Sequence, residues 1–562
     1  MDAVQVYKIW LEKLPAASPL REELKAIETD TEEITDRFYR EIEFGTAGLR
    51  GICGAGTNRM NEYTVGRATQ GIADYILRSG EDPRQGTVIA YDCRYFSREF
   101  SELAAEILAG NGIRVYLFPS LRPTPELSFA VRRLGAVCGI NMTASHNPKE
   151  YNGYKVYWKD GAQISGAVSD GMLKEIQKLD LFGSFLRMPL DRACGAGLVT
   201  MLGAEMDEAY MAYVLSLAQR PDEQLDRHVP VVYTPLNGAG SIPMMEMAAR
   251  RGFDGLRIVQ EQRDPDPDFT TVPFPNPENP KAFALAEQLG RKTGAELLIA
   301  TDPDSDRMAA EISDGKGGYI ALNGNQTGAM LIAYMAQAQF EQGTLPPKSV
   351  MIKSIVTGDF GAAICRSYGI ETIEALTGFK NLCGRIPELE AKGFHCFFAY
   401  EESIGCAPGT AVRDKDGIAA AMLLTEMAAW YRKQGKTLPE ALEDLYRQYG
   451  WFSDGAVSVV LEGKAGMERI GRIMDAFRIS GGVFGDLRAV RVVDYIHGCG
   501  DIPPQNALRY YFSDGSWFAM RPSGTEPKLK FYFYACSDSK EKSDETVRRL
   551  TQTVMSMADT MQ

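Results

Sequence analysis

The apolar positions of this chain follow two rhythms. Near the N-terminus Val4, Tyr7, Leu11 and Leu14 recur at three- and four-residue spacing, the period of a helix with one buried face. Pro15 and Pro19 interrupt that pattern, and a second helical stretch is predicted from Leu24 to Ile42. Further on, helical stretches alternate with apolar runs of strand length. A helix over 63–79 precedes the strand TVIAYDCR (87–94), which carries Arg94 and Arg98 at its end and just beyond, and the alternation continues through 102–142. Later strands are predicted within HVPVVYTPLNGAG (228–240), ELLIATDPDSDRMAAEI (296–312), VMIKSIVTG (350–358) and HCFFAYEESIG (395–405). Such βαβ alternation predicts largely parallel sheets with ligands at the C-terminal ends of the strands. After Trp451 the strand AVSVVLEG (456–463) precedes a helix over 466–478.

At 562 residues, and about 150 residues per domain, the chain should hold roughly four domains. Hydrophobic residues make up 45% and charged residues 24%, which is ordinary for a soluble globular protein. The net charge of −13 argues against nonspecific binding of nucleic acid or of anionic membranes. The ten cysteines are scattered without a CxxC pair, so a zinc ribbon is not expected, and free thiols in a reducing cytosol are. The first residues lack the basic start and apolar core of a signal peptide. The most apolar long run, IAAAMLLTEMAAWY (418–431), is too short to span a bilayer and contains a glutamate. A cytoplasmic enzyme is the expectation.

Several stretches carry chemistry. In NMTASHNPKEYNGYK (141–155) a strand ends, and Asn147-Pro148 and Asn152-Gly153 are turn-forming pairs around an exposed Ser145. His146 and Lys155 bracket that serine, which reads either as a nucleophile or phosphate carrier or as a plain surface turn. DPDSDR places Asp302, Asp304 and Asp306 at alternate positions. Closely spaced carboxylates repel one another, and a hard divalent cation relieves that repulsion. An EF-hand would need Gly at its sixth position and Glu at its twelfth, where Arg307 and Ser313 stand. The stretch 395–405 ends in two glutamates and a serine, among them Glu401 and Ser403, which could bind sugar hydroxyls, although a helix N-cap is the simpler reading. Arg521, Ser523 and Thr525 offer a guanidinium and two hydroxyls to a dianionic phosphate, or form an ordinary hairpin turn.

TASHNP followed by NGYK closely resembles the phosphoserine loop of the α-D-phosphohexomutases, the family of phosphoglucomutases and phosphomannomutases. DPDSDR, EESIG and RPSGTEPK resemble that family's metal, sugar-selection and phosphate-binding loops, in the family's order and over essentially the whole chain. The resemblance implies an α/β protein of four domains around a central cleft: three similar domains with mixed sheets and a smaller α+β domain. The expected boundaries are 1–43 for a helical extension packed on the first domain, 44–205 for the phosphoserine domain and 206–320 for the metal domain, then 321–450 for sugar recognition and 451–562 for phosphate binding.

It also implies roles. Ser145 would carry the phosphoryl group, and Asp302, Asp304, Asp306 and a phosphoserine oxygen would hold Mg²⁺. Lys155 and Lys415 are the candidates for proton transfer, on the ground that a cationic pocket lowers a lysine pKa, and His146 would support the serine loop. Arg50, Arg307, Thr377, Gly378, Lys380, Glu401, Ser403, Arg521, Ser523, Gly524 and Thr525 would contact substrate. The family often has a histidine where Asn237 stands, so that position departs from the pattern. The glucose-type EESIG loop implies exchange of glucose 1-phosphate with glucose 6-phosphate, with glucose 1,6-bisphosphate as intermediate and activator. Phosphopentomutase is the alternative. Phosphomannomutase, a bisphosphate synthase, a non-catalytic sugar-phosphate sensor and a Ca²⁺-binding protein stand further off. The expected partner is a small sugar phosphate, with no nucleic acid and no membrane, acting on a monomer or homodimer.

Overall fold

The structure, a computed structural model, describes residues 2–45, 48–461, 463–523 and 528–561. The chain forms two compact units, one of Met1–Asn323 with Ser403–Gly435 and the other of Gly324–Glu402 with Lys436–Gln562.

The first unit begins with helices Ala3–Lys13, Pro19–Ala26 and Thr31–Phe38. The single helix expected from Leu24 to Ile42 is therefore broken. Asp30 caps a new helix by accepting from the Glu33 backbone N–H, and a cap residue cannot sit inside a helix. Trp10 is the centre of an aromatic knot with Phe38, Tyr63 and Phe182 at centroid distances of 5.7, 5.7 and 5.2 Å. That knot packs the extension onto the helix Glu62–Arg78.

Behind it lies a six-stranded sheet of β1 (Gly48–Ile52), β2 (Thr87–Tyr91), β3 (Val115–Leu117), β4 (Cys138–Met142), β5 (Tyr151–Trp158) and β6 (Val199–Met201). The order is β1-β5-β4-β2-β3-β6. Strands β4, β2, β3 and β6 run parallel, as the alternation predicts, while β5 is antiparallel to both β4 and β1. Asn152-Gly153, expected as a turn, lies inside β5. Its glycine serves close approach instead, since a Cβ at Gly153 would stand 2.4 Å from the Thr143 carbonyl oxygen.

The second sheet holds β7 (Val231–Thr234), β8 (Leu256–Ile258), β9 (Leu297–Thr301), β10 (Met308–Ser313) and β11 (Tyr319–Leu322) in the order β11-β10-β9-β7-β8. β10 returns antiparallel on β9, so residues 302–307 form the tight connection between them. The apolar helix Gly417–Lys433 is buried along nearly its whole length and packs on helices Ser241–Arg251 and Ala204–Ser216. Its Glu426 accepts from Arg251 at 2.6 Å. Among the described residues no helix is long and apolar enough to cross a membrane.

In the second unit, strand Ser349–Ser354 lies parallel between Glu371–Ala375 and His395–Glu401. Thr377 and Gly378 directly precede a short helix, Phe379–Gly384. No helix follows Glu401 directly, so the N-cap reading of the Glu-Glu-Ser run fails; the chain passes back to the first unit, where Gly405–Ala407 is a short strand. An antiparallel sheet follows in the order Trp451–Val460, Lys528–Ser537, Trp517–Pro522, Leu508–Tyr511, Arg491–Asp494. Ile355 and Val356 share an apolar cluster with Trp517, Tyr532 and Tyr534, which joins the two sheets of this unit.

Candidate active site

The serine loop starts where β4 ends. The Thr143 hydroxyl accepts from the Ser145 N–H at 2.9 Å, and Ser145 adopts the left-handed conformation, φ 51°. For a residue other than glycine that costs about 1–3 kcal/mol and persists only where the surroundings impose it. Arg94 imposes it. Its guanidinium donates to the carbonyls of Ser145 (2.6 Å), Pro148 (2.8 Å) and Tyr151 (3.1 Å) and also to that of Asn147. The serine expected to be exposed is buried, at 3% exposure. The reason is that its hydroxyl turns inward, donating to Asp302 Oδ2 at 2.6 Å and lying 3.2 Å from His146 Nδ1.

Asp302, Asp304 and Asp306 converge in the β9–β10 connection, with one carboxylate oxygen of each within 4.8 Å of the others. Asp302 accepts from the Arg307 N–H at 3.0 Å. Asp304 Oδ2 accepts from Thr124 Oγ1 at 2.7 Å and from Lys155 Nζ at 2.6 Å. Asp306 Oδ2 lies 3.2 Å from Lys155 Nζ and 3.1 Å from Lys415 Nζ. Asp304 Oδ1 and Asp306 Oδ1 are buried with no partner among the described residues. Buried charged oxygens without donors are costly, and three hard oxygen ligands gathered on one loop fit a divalent cation.

Charge follows from this packing. Burial, with Asp304 and Asp306 beside it, raises the Asp302 carboxyl well above its ordinary value. Burial would also raise Asp306, but Lys155, Lys415 and Arg307 outweigh it and hold that carboxyl below the ordinary range. The two lysines correct an expectation. Burial alone lowers them, yet Asp304 and Asp306 raise Lys155 above the usual lysine value, and Asp306 and Asp414 raise Lys415. A cationic pocket is the wrong description, because the carboxylates beside each ammonium outweigh burial and the neighbouring cations. His146 shifts well downward, through burial first and then Arg307 and Arg50, so its imidazole is neutral.

The first unit thus brings together Ser145, His146, Lys155, Lys415, Arg307 and the three aspartates, and Arg50 reaches Asn147 Oδ1 at 3.3 Å. Ser403 is half-buried in the same unit. In the second unit the Gly378 N–H donates to Glu401 Oε1 at 2.6 Å, with Gly378 at φ 107°. Thr377 Oγ1 and Arg521 Nε are buried without a hydrogen-bond partner among the described residues, and burial lowers Lys380. The Ser523 N–H closes the hairpin on the Lys528 carbonyl at 2.7 Å. Gly524 and Thr525 lie outside the described residues.

Four residues of this constellation carry no role in the sequence reading. Arg94 shapes the serine loop, Thr124 and Asn141 form a relay to Asp304, the latter donating to Thr124 Oγ1 at 2.7 Å, and Asp414 ties Lys415 (3.0 Å) to Tyr157 (2.8 Å). The only sequence signal for Arg94 is its place at the end of a strand. Asn237 is structural here, with φ 60° and its amide donating to the Asp264 carbonyl at 2.8 Å.

Sequence models of phosphoglucomutase/phosphomannomutase match this chain domain by domain: α/β/α domain I over residues 41–182, domain II over 208–315, domain III over 323–449 and the C-terminal domain over 457–548. The phosphoglucomutase of Staphylococcus haemolyticus is 37% identical over 524 residues, covering 91% of this chain and 93% of that protein. The phosphoglucomutase of Staphylococcus aureus strain USA300 is 35% identical over 546 residues, covering 93% and 94%. Two solved structures share the fold. The phosphoprotein pp63/parafusin, a phosphoglucomutase from Paramecium in its open form, aligns with a TM-score of 0.69 at 19% identity, covering 92% of this chain and 96% of that one. A phosphoglucomutase/phosphomannomutase family protein from Burkholderia thailandensis aligns with a TM-score of 0.67 at 21% identity, covering 91% and 97%. With all four domains matched in order, and a buried serine hydroxyl set against an aspartate triad, the chain belongs to the phosphoglucomutase/phosphomannomutase family.

Proposed function

We propose that the protein interconverts glucose 1-phosphate and glucose 6-phosphate through a phosphorylated Ser145. The observation that carries this is the 2.6 Å contact between Ser145 Oγ and Asp302, inside a triad with two unpartnered carboxylate oxygens. We assign Mg²⁺ to Asp302, Asp304, Asp306 and a phosphoserine oxygen; when bound it would offset charge on the phosphoryl group in transfer.

The chain's own residues do the rest. Phospho-Ser145 loses its phosphoryl group to the free sugar hydroxyl: the Oγ–P bond breaks as the new O–P bond forms, the hydroxyl's proton ends on Ser145 Oγ, and glucose 1,6-bisphosphate results. The bisphosphate turns end for end, and Ser145 takes back the other phosphoryl group. Lys155 and Lys415, held charged by their carboxylate neighbours, stand as cations beside the transfer. Neutral His146 supports the serine hydroxyl. Arg50 and Arg307 are assigned to phosphate, Thr377, Gly378, Lys380, Glu401 and Ser403 to the sugar, and Arg521, Ser523, Gly524 and Thr525 to the phosphate that is not being transferred. Burial of the serine keeps water from hydrolysing the phosphoenzyme. The ten free cysteines fit a reducing cytoplasm.

A coupled assay with Mg²⁺ tests this by comparing glucose 1-phosphate, mannose 1-phosphate and ribose 1-phosphate, each with and without a trace of its bisphosphate. A clear preference for glucose 1-phosphate that disappears in Ser145→Ala is the expected result. A preference for ribose 1-phosphate would keep the mechanism and overturn the substrate.

A further inference from the structure

The segment DPDPDFTTVPF (264–274) takes no part in the chemistry above, yet it leaves the second sheet and fastens onto the serine loop of the first. It makes three attachments. The Asp268 carboxylate accepts from Tyr95 OH at 2.9 Å and from Lys149 Nζ at 3.0 Å. The Phe269 ring, fully buried, lies 5.0 Å from the Arg94 guanidinium. The Phe274 ring meets His146 edge-on at 6.5 Å.

The segment is held in this shape from its own side. The Asp266 carboxylate accepts from the Asp268 and Thr270 N–H groups, each at 2.9 Å. The Asp266 N–H donates to the Asn237 carbonyl at 3.2 Å, and the Asn237 side chain bonds the Asp264 carbonyl at 2.8 Å and Thr271 Oγ1 at 3.0 Å. Phe269 itself sits at φ 47°, a conformation that a phenylalanine rarely adopts unless its surroundings fix it. A residue so constrained, with a fully buried ring, is placed for its ring.

Arg94 explains what the ring does. The edges of its guanidinium point at four loop carbonyls, and Nε faces Asp92 Oδ2 at 3.2 Å. Apart from Nε, which has no hydrogen-bond partner among the described residues, the flat face of the cation is what remains to cover. An aromatic ring presents negative charge density to that face and also keeps water off the carbonyl bonds. We propose that Phe269, acting through Arg94, is a positioning residue for phosphoryl transfer: it clamps the guanidinium flat, and the guanidinium in turn fixes the peptide planes that follow Ser145. The proposal rests on the mutase reading for its kinetic consequence but not for its structural one.

The test uses the full-length phosphorylated protein with Mg²⁺ and four forms: wild type, Phe269→Leu (similar bulk, no π face), Phe269→Tyr (face restored) and Asp268→Ala, which loosens the segment from outside the core. Two readouts are taken, steady-state kinetics on glucose 1-phosphate and amide hydrogen exchange over 143–151. F269L is expected to lower kcat by about ten- to a hundredfold while KM stays within about twofold, because misplacing a reacting group costs rate rather than binding. Exchange should quicken at 143–151 alone, F269Y should return both readouts toward wild type, and D268A should move both in the same direction by less. Wild-type kcat and exchange in F269L would overturn the proposal, as would a rise in exchange across the whole first unit, which marks general loss of packing. Should F269L fail to fold, unchanged exchange and kcat in D268A would overturn it. A wild type inactive on every sugar phosphate would sink the mutase reading, while the exchange data would still decide the clamp.

Discussion

Two clusters of buried charge, one in each unit, are built from the same ingredients and end differently. In the second unit Lys353 and Arg509 are buried to 1% and 2% exposure and lie on strands. Lys353 Nζ donates to the Thr357 carbonyl (2.8 Å) and Asp359 (2.7 Å) and lies 3.3 Å from Glu374. Arg509 pairs with Glu374 at 2.7 Å and stacks 3.8 Å over Trp517, whose Nε1 donates to Asp359 at 2.8 Å. That set closes on its acceptors: among the described residues none of its carboxylate oxygens is buried without a donor, and the buried atom left over is itself a donor, Arg509 Nε. In the first unit it is the acids that are most buried, on a tight connection, and two of their oxygens have no donor among the described residues. A closed set on rigid strands ties sheets together; a set with acceptors left over asks for a cation. The remainder, more than the charges themselves, distinguishes a site from a structural tie.

The sharpest break comes at Ser145. Ser145→Ala removes the phosphoryl carrier, and turnover should fall at least about a thousandfold, as it does when other covalent catalysts lose their nucleophile. Asp304→Asn keeps the shape of the triad and removes one charge. Activity should drop by about 10²–10³, with weaker Mg²⁺ binding by calorimetry and little change in melting temperature. Lys353→Met should do the reverse. It leaves the partly exposed Asp359 and Glu374 without their ammonium, so denaturant unfolding should show a loss of about 1–3 kcal/mol, while Mg²⁺ affinity stays at the wild-type value. Equal loss of Mg²⁺ binding in both variants would erase the distinction between the clusters.

The loops that bear chemistry were legible because they are local strings. DPDSDR folds into a tight connection between two strands, and Ser145 lies just after the end of β4, whereas Lys155 lies within β5, a strand that the turn reading of Asn152-Gly153 leaves out. What the sequence hides is long-range. Gly153 looks like a turn residue, since nothing nearby announces that the Thr143 carbonyl will press against it from another segment. The lysines look like groups with lowered pKa until Asp306 and Asp414 are seen beside Lys415. Arg94, Phe269 and Asn237 lie far apart in sequence, and only the fold shows that they hold one loop. Glu401 illustrates a third case: its carboxylate bonds the Gly378 N–H, a partner that neither the string nor its period could name.

The smallest effects sharpen the comparison through pH. Asp359, in the closed cluster, has its carboxyl held down to about 2, burial opposing the shift and Lys353 and Arg509 outweighing it. A depressed folded value means stability that is present above the ordinary 3.8 and is lost as pH falls toward about 2. Asp416, at the start of the helix Gly417–Lys433 in the first unit, has the opposite sign. Burial pushes it up to about 6, although its Oδ1 accepts from Tyr210 OH and the Ala419 N–H, each at 2.9 Å. Its Oδ2 has no partner among the described residues, so the neutral form is favoured. A raised acid stabilises fully below 3.8, and that contribution declines as pH rises through about 6. Asp416→Asn keeps a neutral cap. Urea unfolding at pH 4, 5, 6 and 7 should therefore show the variant gaining on wild type by about 1–3 kcal/mol across that range, whereas Asp359→Asn should show a constant deficit there that narrows only below pH 4. A constant difference for Asp416→Asn would mean that its carboxyl stays charged in the folded chain, and that burial beside the active site is less complete than the packing of this helix implies.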